Sequence, residues 1–294
     1  MKINIEKLWA EATIRDNFIF SRTMEMFPDL CRELLEIILH VKIKELRYPE
    51  REKVIEARTD SKGIRLDVFV KDASGKRWFD VEMQVSNPKY LSKRLRYYQG
   101  LIDIDRLKRG QHYSALEESF IIFICPFDRF KQGRHIYTFR ERCDQDTKIL
   151  LGDGATKIFL NTKGTLDDID AKLKAFLNFV EKGIVTGKFI EELAVAVDSV
   201  KTNEKVRHDF MTYQMFLLEE KMEAEERGRA EGRAEGRAEG LKEGRAEERE
   251  SFAMKMLRRG KSFKEIQEFT ELSLQRIREL AEKISVTNTA TEAT

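Results

Sequence analysis

The chain has 294 residues, 41% hydrophobic and 36% charged, and its 54 basic and 52 acidic side chains leave a net charge of +2. Nineteen Phe and seven Tyr need burial, which excludes a wholly disordered chain. The longest apolar run, Phe120 to Cys125, is far short of the roughly 20 residues a membrane-spanning helix needs, so no membrane partner is expected.

Three widely spaced cysteines, Cys31, Cys125 and Cys143, argue against a disulfide framework, and the first ten residues lack the apolar run of a secretory signal. The expected location is therefore the reducing cytoplasm. Residues 5–40 read as helical, with Pro28 in a first turn and an apolar face made by Leu30, Leu34, Leu35, Ile37, Ile38 and Leu39. Residues 43–58 read as an extended, polar strand. Ile64 to Val70 and Arg77 to Val85 are short β-like runs around a turn composition, Lys71 to Lys76. Asn87-Pro88 predicts the cap and first turn of a long helix to about Lys108, ended by Gly110. Phe120 to Cys125 predicts a fully buried strand, with shorter ones near Ile136 to Phe139 and Lys157 to Asn161. From Gly164 the pattern turns helical, to about Glu226.

Gly228 to Gly244 then repeats a four-residue unit, GRAE three times and GLKE once. In a lone helix Glu231, Glu235 and Glu239 are repelling i,i+4 neighbours, and each Gly costs roughly 1 kcal/mol relative to Ala. Pairing with a second copy sets Glu stripes against Arg stripes, which predicts a homo-oligomer through the repeat; the other reading is a solvated spacer. Ser251 to Leu280 resembles the helix-turn-helix segment of small DNA-binding domains, with a break at Gly260 and a turn at Glu271 to Ser273. A helical hairpin for assembly is the other reading. The Thr/Ala-rich end is expected to be disordered.

The chemistry lies in the β-hairpin. Closing it at Lys71 and Lys76 makes Asp67 face Asp80 and Arg65 face Glu82, with Asp67 and Glu82 as diagonal neighbours. Asp67, Asp80, Glu82 and Gln84 then share one face of the sheet. Leu66, Val68, Val70, Phe79, Val81, Met83 and Val85 share the other, the core side. Converging carboxylates repel, and a strand that keeps them needs a cation, an arginine or solvent. Oxygen ligands of this kind favour Mg²⁺ or Mn²⁺ over zinc. The competing reading is an ordinary amphipathic hairpin with a solvated charged face. His40, His112, His135 and His208 are too dispersed for a histidine site. Residues 88–110 carry seven basic side chains against two acidic ones, interleaved with Tyr97 and Tyr98, a composition suited to phosphate contact.

Asp67 followed on the next strand by Glu82-Met83-Gln84 resembles the PD-(D/E)XK nuclease superfamily. The runs DNFIFSRTMEMFPDLCRELLEIIL, GIRLDVFV, VEMQ, RYYQGLIDIDRLKRGQHY, FIIFICPFDRFKQGRHIYTF and KIFLNTKG together resemble the PD-(D/E)XK nuclease family transposases, the recombination-promoting nuclease group, over about residues 1–185. The resemblance implies an α/β, restriction-endonuclease-like core, a mixed central sheet flanked by helices, carrying a C-terminal helical extension. It implies a Mg²⁺-dependent (or Mn²⁺-dependent) DNA endonuclease. Asp67, Glu82 and the Met83 backbone carbonyl would hold the metal, and Gln84 stands where the superfamily usually has Lys. Glu36 would complete the site from a helix, with Glu33 as its rival. Lys93, Arg94, Arg96, Tyr97 and Gln99 would contact DNA. The neutral Gln84 keeps a second reading open: a weak or inactive nuclease-fold protein acting as a DNA-binding or assembly module. The expected organisation is a nuclease-like domain (1–185), a helical arm (186–227), the repeat (228–250), a small helical segment (251–283) and a tail (284–294).

Overall fold

The structure, a computed structural model, describes residues 4–48, 54–55 and 64–291. They form two compact units, Met1–Gln214 and Met215–Thr294. The first is built on a six-stranded sheet. Its strands are β1 (Leu46–Arg47), β4 (Val68–Asp72), β5 (Arg77–Met83), β6 (Glu118–Cys125), β7 (Ile136–Phe139) and β8 (Ala155–Asn161). Their order is β1-β4-β5-β6-β8-β7. Strands β5, β6 and β8 are parallel; β4 and β7 run antiparallel to their neighbours. A separate antiparallel pair joins β2 (Val54–Ile55) and β3 (Ile64–Arg65). The rest of the stretch read as a strand over 43–58, beyond β1 and β2, is irregular or lies outside the described residues.

Phe120 to Cys125 are apolar without interruption because β6 is central and covered on both faces. One face meets α1 (Ile5–Glu11), α2 (Asn17–Met26), α3 (Pro28–Leu39), α5 (Ala171–Lys182), α6 (Lys188–Thr202) and the first turns of α7 (Glu204–Arg258). Val68, Val70, Phe79, Val81 and Met83 point into this core, as the alternation predicts. Leu193, Val200 and Phe210 bury in the same core, so the compact unit continues past residue 185 to Gln214.

The opposite face is covered by α4 (Leu91–Arg106), whose Leu91, Leu95, Tyr98, Leu101 and Ile102 pack on Phe69, Trp78, Ile121 and Phe123. Each fully buried large side chain of this kind contributes about 1.5–3 kcal/mol. The face that carries the acidic residues is therefore covered by a second core, which removes the solvated-hairpin reading. The helix itself starts at Leu91, three residues later than Asn87-Pro88 predicts, and has no side-chain cap. Arg129 holds the Asn87 side chain instead, donating to Asn87 Oδ1 at 2.6 Å and to the Pro88 and Lys89 carbonyls.

In the second unit, residues 221–249 of α7 are exposed all round, and the repeat glycines have no neighbouring atom within 4 Å of an added Cβ. The end of α7 packs with α8 (Phe263–Thr270) and α9 (Leu274–Thr291) around Ala253, Ile266, Ile277 and Leu280. Ser262 and Glu265 form a capping box, and Glu271 turns the chain in a left-handed conformation (φ 58°). Helix α9 runs to Thr291, into the stretch read as a disordered tail; the side chains of 284–291 and residues 292–294 lie outside the described residues.

Candidate active site

The hairpin register differs from the predicted one by one residue on each strand. Val68 pairs with Val81, Phe69 with Asp80, Val70 with Phe79 and Lys71 with Trp78. The turn sets this. Asp72 accepts hydrogen bonds from Ser74 Oγ at 2.7 Å, Lys76 N–H at 3.2 Å and Arg77 Nε at 2.8 Å, so the loop is Ala73 to Lys76. Gly75 supplies the positive φ (73°) the loop needs. Because both strands shift together, Val68, Val70, Phe79, Val81 and Met83 stay on the predicted core face, whereas Leu66, beyond the bend at Asp67, packs in the second core and Val85, past the end of β5, is exposed. Asp80 faces Phe69 rather than Asp67; the ladder ends at Val68, and Asp67 sits in the bend just before it, where its charge acts on Glu82 and Asp80. Asp67 Oδ2 accepts from the Met83 N–H at 3.4 Å. The Met83 N–H thus points to the Asp67 side, and its carbonyl lies on the same strand edge.

Helix α2 fixes the Asp67 end. Ser21 Oγ donates to the Asp67 carbonyl at 2.7 Å, and the Asn17 side chain hydrogen-bonds its carboxylate. A narrow crevice lined by Asn17, Ser21, Arg22, Arg65, Asp67 and Tyr213 leads to this carboxylate. Asp80, Glu82 and Gln84 are 1%, 3% and 5% exposed. Both carboxylate oxygens of Asp80, and Oε1 of Glu82, are buried without a hydrogen-bond partner. Gln84 Nε2 donates to Glu82 Oε2 at 3.2 Å. Arg94, from the first turns of α4, donates through Nη2 to Gln84 Oε1 at 2.6 Å and to Glu82 Oε2 at 3.4 Å.

Burial pushes all three carboxyls upward. Asp67 is raised to about 7, chiefly by desolvation, against the pull of the Met83 N–H, Arg65 and Arg94. Asp80 rises through burial and the charge of Asp67; Glu82 rises through burial and the charges of Asp80 and Asp67. Leaving such groups without partners carries a desolvation cost that a bound cation offsets. The donor set is all oxygen and anionic, which suits Mg²⁺ or Mn²⁺. Among the described residues no group of three or more His, Cys, Asp or Glu side chains is arranged to hold a metal ion.

Other predicted site residues lie elsewhere or are otherwise engaged. Glu36 is not brought to the cluster. Its Oε1 accepts from the Ile43 N–H at 2.7 Å, its Oε2 from Lys42 at 3.2 Å, and Arg32 lies 3.7 Å away, so it holds the chain leaving α3. Those contacts also hold its carboxyl low, the Ile43 N–H first among them. Glu33 lines a different hollow, with Lys172 and Lys188. Gln99 spends its amide on Asp103 Oδ1 (2.9 Å) and Ser119 Oγ (2.8 Å). Lys93, Arg96 and Tyr97 are exposed along α4. Asn17, Ser21, Arg22 and Arg65 were missed by sequence reasoning. Nothing in the sequence near α2 signals a partner 46 residues away. The inward role of Asp80, by contrast, is signalled by the period-two spacing of Asp80, Glu82 and Gln84.

No helix among the described residues is long and apolar enough to cross a membrane. Comparison with curated proteins and with solved structures gives no match. A family model, PD-(D/E)XK nuclease family transposase, matches residues 19–181, which span the six-stranded sheet, the acidic hairpin, α3, α4 and most of α2 and α5. The chain belongs to the PD-(D/E)XK nuclease family transposases.

Proposed function

We propose that the protein is a divalent-metal-dependent DNA endonuclease of the recombination-promoting kind, working in the cytoplasm. The observation that carries the reading is the buried, partnerless carboxylate oxygen of Glu82 beside Asp67. Asp67, Glu82 and the Met83 carbonyl would hold Mg²⁺ or Mn²⁺. When bound, such an ion supplies Lewis-acid polarisation of a phosphate and acidifies an attacking water. Gln84 holds Glu82 and Arg94 in place through its two amide ends, a positioning role in addition to any contact with water. Lys93, Arg96 and Tyr97 offer backbone contacts to DNA, which favours weak sequence preference. The free cysteines suit a reducing compartment, and burial pushes the Cys31 and Cys125 thiols up to about 12, out of thiolate chemistry.

A second reading has its own observation. Arg94 already pairs with Glu82, as expected of a nuclease scaffold kept only to bind DNA. Incubating supercoiled plasmid with the protein in Mg²⁺, in Mn²⁺ and in EDTA separates the two. The endonuclease reading expects nicked or linear product with either metal and none in EDTA. Retarded but intact plasmid in every metal supports the binding module.

The repeat supports a homo-oligomer. A helix polar on most sides is marginal alone, and residues 221–249 are exposed throughout. Deleting residues 228–244 is expected to lower the mass found by sedimentation equilibrium to that of one chain. An unchanged mass assigns the repeat to a spacer.

A further inference from the structure

Helix α4 presents Lys93 and Arg96 outward, whereas Arg94 and Arg106 turn onto the sheet. Arg94 has its guanidinium carbon 5.3 Å from the centre of the Tyr98 ring and 5.5 Å from that of Phe123. Its Nη2 reaches both Gln84 and Glu82, and its charge is felt by Asp67, Asp80 and Glu82 alike. Yet 37% of its side chain remains open to solvent.

We infer that Arg94 stands in for the cation when no metal is bound, and becomes the positive contact to the phosphodiester when one is. The inference rests on the metal-dependent reading above. A divalent ion on Glu82 and a guanidinium on the same carboxylate repel each other, so the two compete for Glu82. Gln84 is neutral and keeps its hold on the displaced guanidinium. Guanidinium has five N–H donors in a fork suited to phosphate oxygens, and only Nη2 is spent on Gln84 and Glu82. The strand position that carries no charge here is thereby served by a charge from the neighbouring helix. The Tyr98 and Phe123 rings hold the guanidinium carbon itself, so a head that leaves Glu82 for a phosphate exchanges those ring contacts for phosphate oxygens.

The test combines calorimetric titration of the full chain with Mn²⁺ and single-turnover plasmid cleavage at saturating Mn²⁺. It compares wild type, Arg94→Met and Arg94→Lys. Met keeps an unbranched apolar stem on the helix and removes the charge. Arg94→Met is expected to bind Mn²⁺ about tenfold more tightly, the size of an ordinary coupling between two sites. Its saturated cleavage rate is expected to fall about a hundredfold, as for loss of one charge-stabilising donor. Arg94→Lys should lie between on both scales. These changes have opposite signs, whereas a residue that only shaped the site would weaken metal binding and cleavage together. Unchanged or weaker Mn²⁺ binding in a natively folded Arg94→Met overturns the inference, as does an unchanged saturated rate. Absence of Mn²⁺ binding by the wild type overturns the metal-dependent reading and the inference with it. That result is distinguishable because it needs no variant.

Discussion

Asp67→Asn or Glu82→Gln is expected to lower metal-dependent cleavage about a thousandfold at saturating Mg²⁺. The carboxylate charge disappears while side-chain volume is kept. Lewis-acid catalysis is worth several kcal/mol, and about 4 kcal/mol corresponds to three decades in rate. The same substitutions are expected to leave the fold intact and to raise the melting temperature of the metal-free protein. Burial works against the ionised forms of both groups, and each amide removes one charge from a mutually repelling set. A variant that is slower but more stable is the signature of a group placed for chemistry at the expense of packing. Single-turnover rates and thermal melts without metal, measured on the same preparations, check both halves. Near-wild-type cleavage by either variant removes that residue from the reaction. Loss of stability in the metal-free variants shows that the carboxylates are satisfied by protein partners and await no cation.

The sequence made the strand faces legible because side-chain parity is insensitive to a joint shift of both strands. Val68, Val70, Phe79, Val81 and Met83 enter the core whichever pairing the turn selects. The pairing itself was not legible. It depends on Asp72 binding Ser74, Lys76 and Arg77 at once, which turn composition does not reveal. Burial of the acidic face was hidden for a related reason. Alternating apolar and polar residues ordinarily mark a half-solvated strand, yet β5 lies inside the sheet with α4 laid over it. The conflict between polar pattern and buried position falls on Asp80, Glu82 and Gln84, where a functional site is the usual cause. Glu36 illustrates the opposite error. A glutamate on the polar face of an amphipathic helix reads as available, and only the fold reveals the Ile43 amide that occupies it.

Stability of the metal-free protein is expected to fall as pH rises from about 5 to about 7.5, opposite in sign to what paired surface carboxylates produce. Asp67 carries the argument. In the unfolded chain it loses its proton near 3.8; in the folded chain it does so at about 7. Between those values the folded state holds a proton that the unfolded state has released, so each step up in pH favours unfolding. Below the lower value both states are protonated and the contribution vanishes; above the upper value both are ionised and the penalty is complete. Between pH 5 and the folded value lie about two pH units, which at about 1.4 kcal/mol each place the Asp67 share of the fall on the order of 3 kcal/mol. Asp80 and Glu82 add to it with the same sign. Asp72, Asp128 and Asp168 oppose it only in more acid solution, since their lowered values give stability that is lost as pH falls below about 4. Urea midpoints at the two pH values check the slope. Saturating Mg²⁺ is expected to flatten it, because a cation bound to the ionised carboxylates takes over the role of the protons. Asp80→Asn is expected to remove part of the slope without metal, by deleting one titrating group and relieving its neighbours. A midpoint that rises with pH in the metal-free wild type means that the three acids ionise freely in a solvated cleft, and a cluster of that kind has no deficit for a metal to fill.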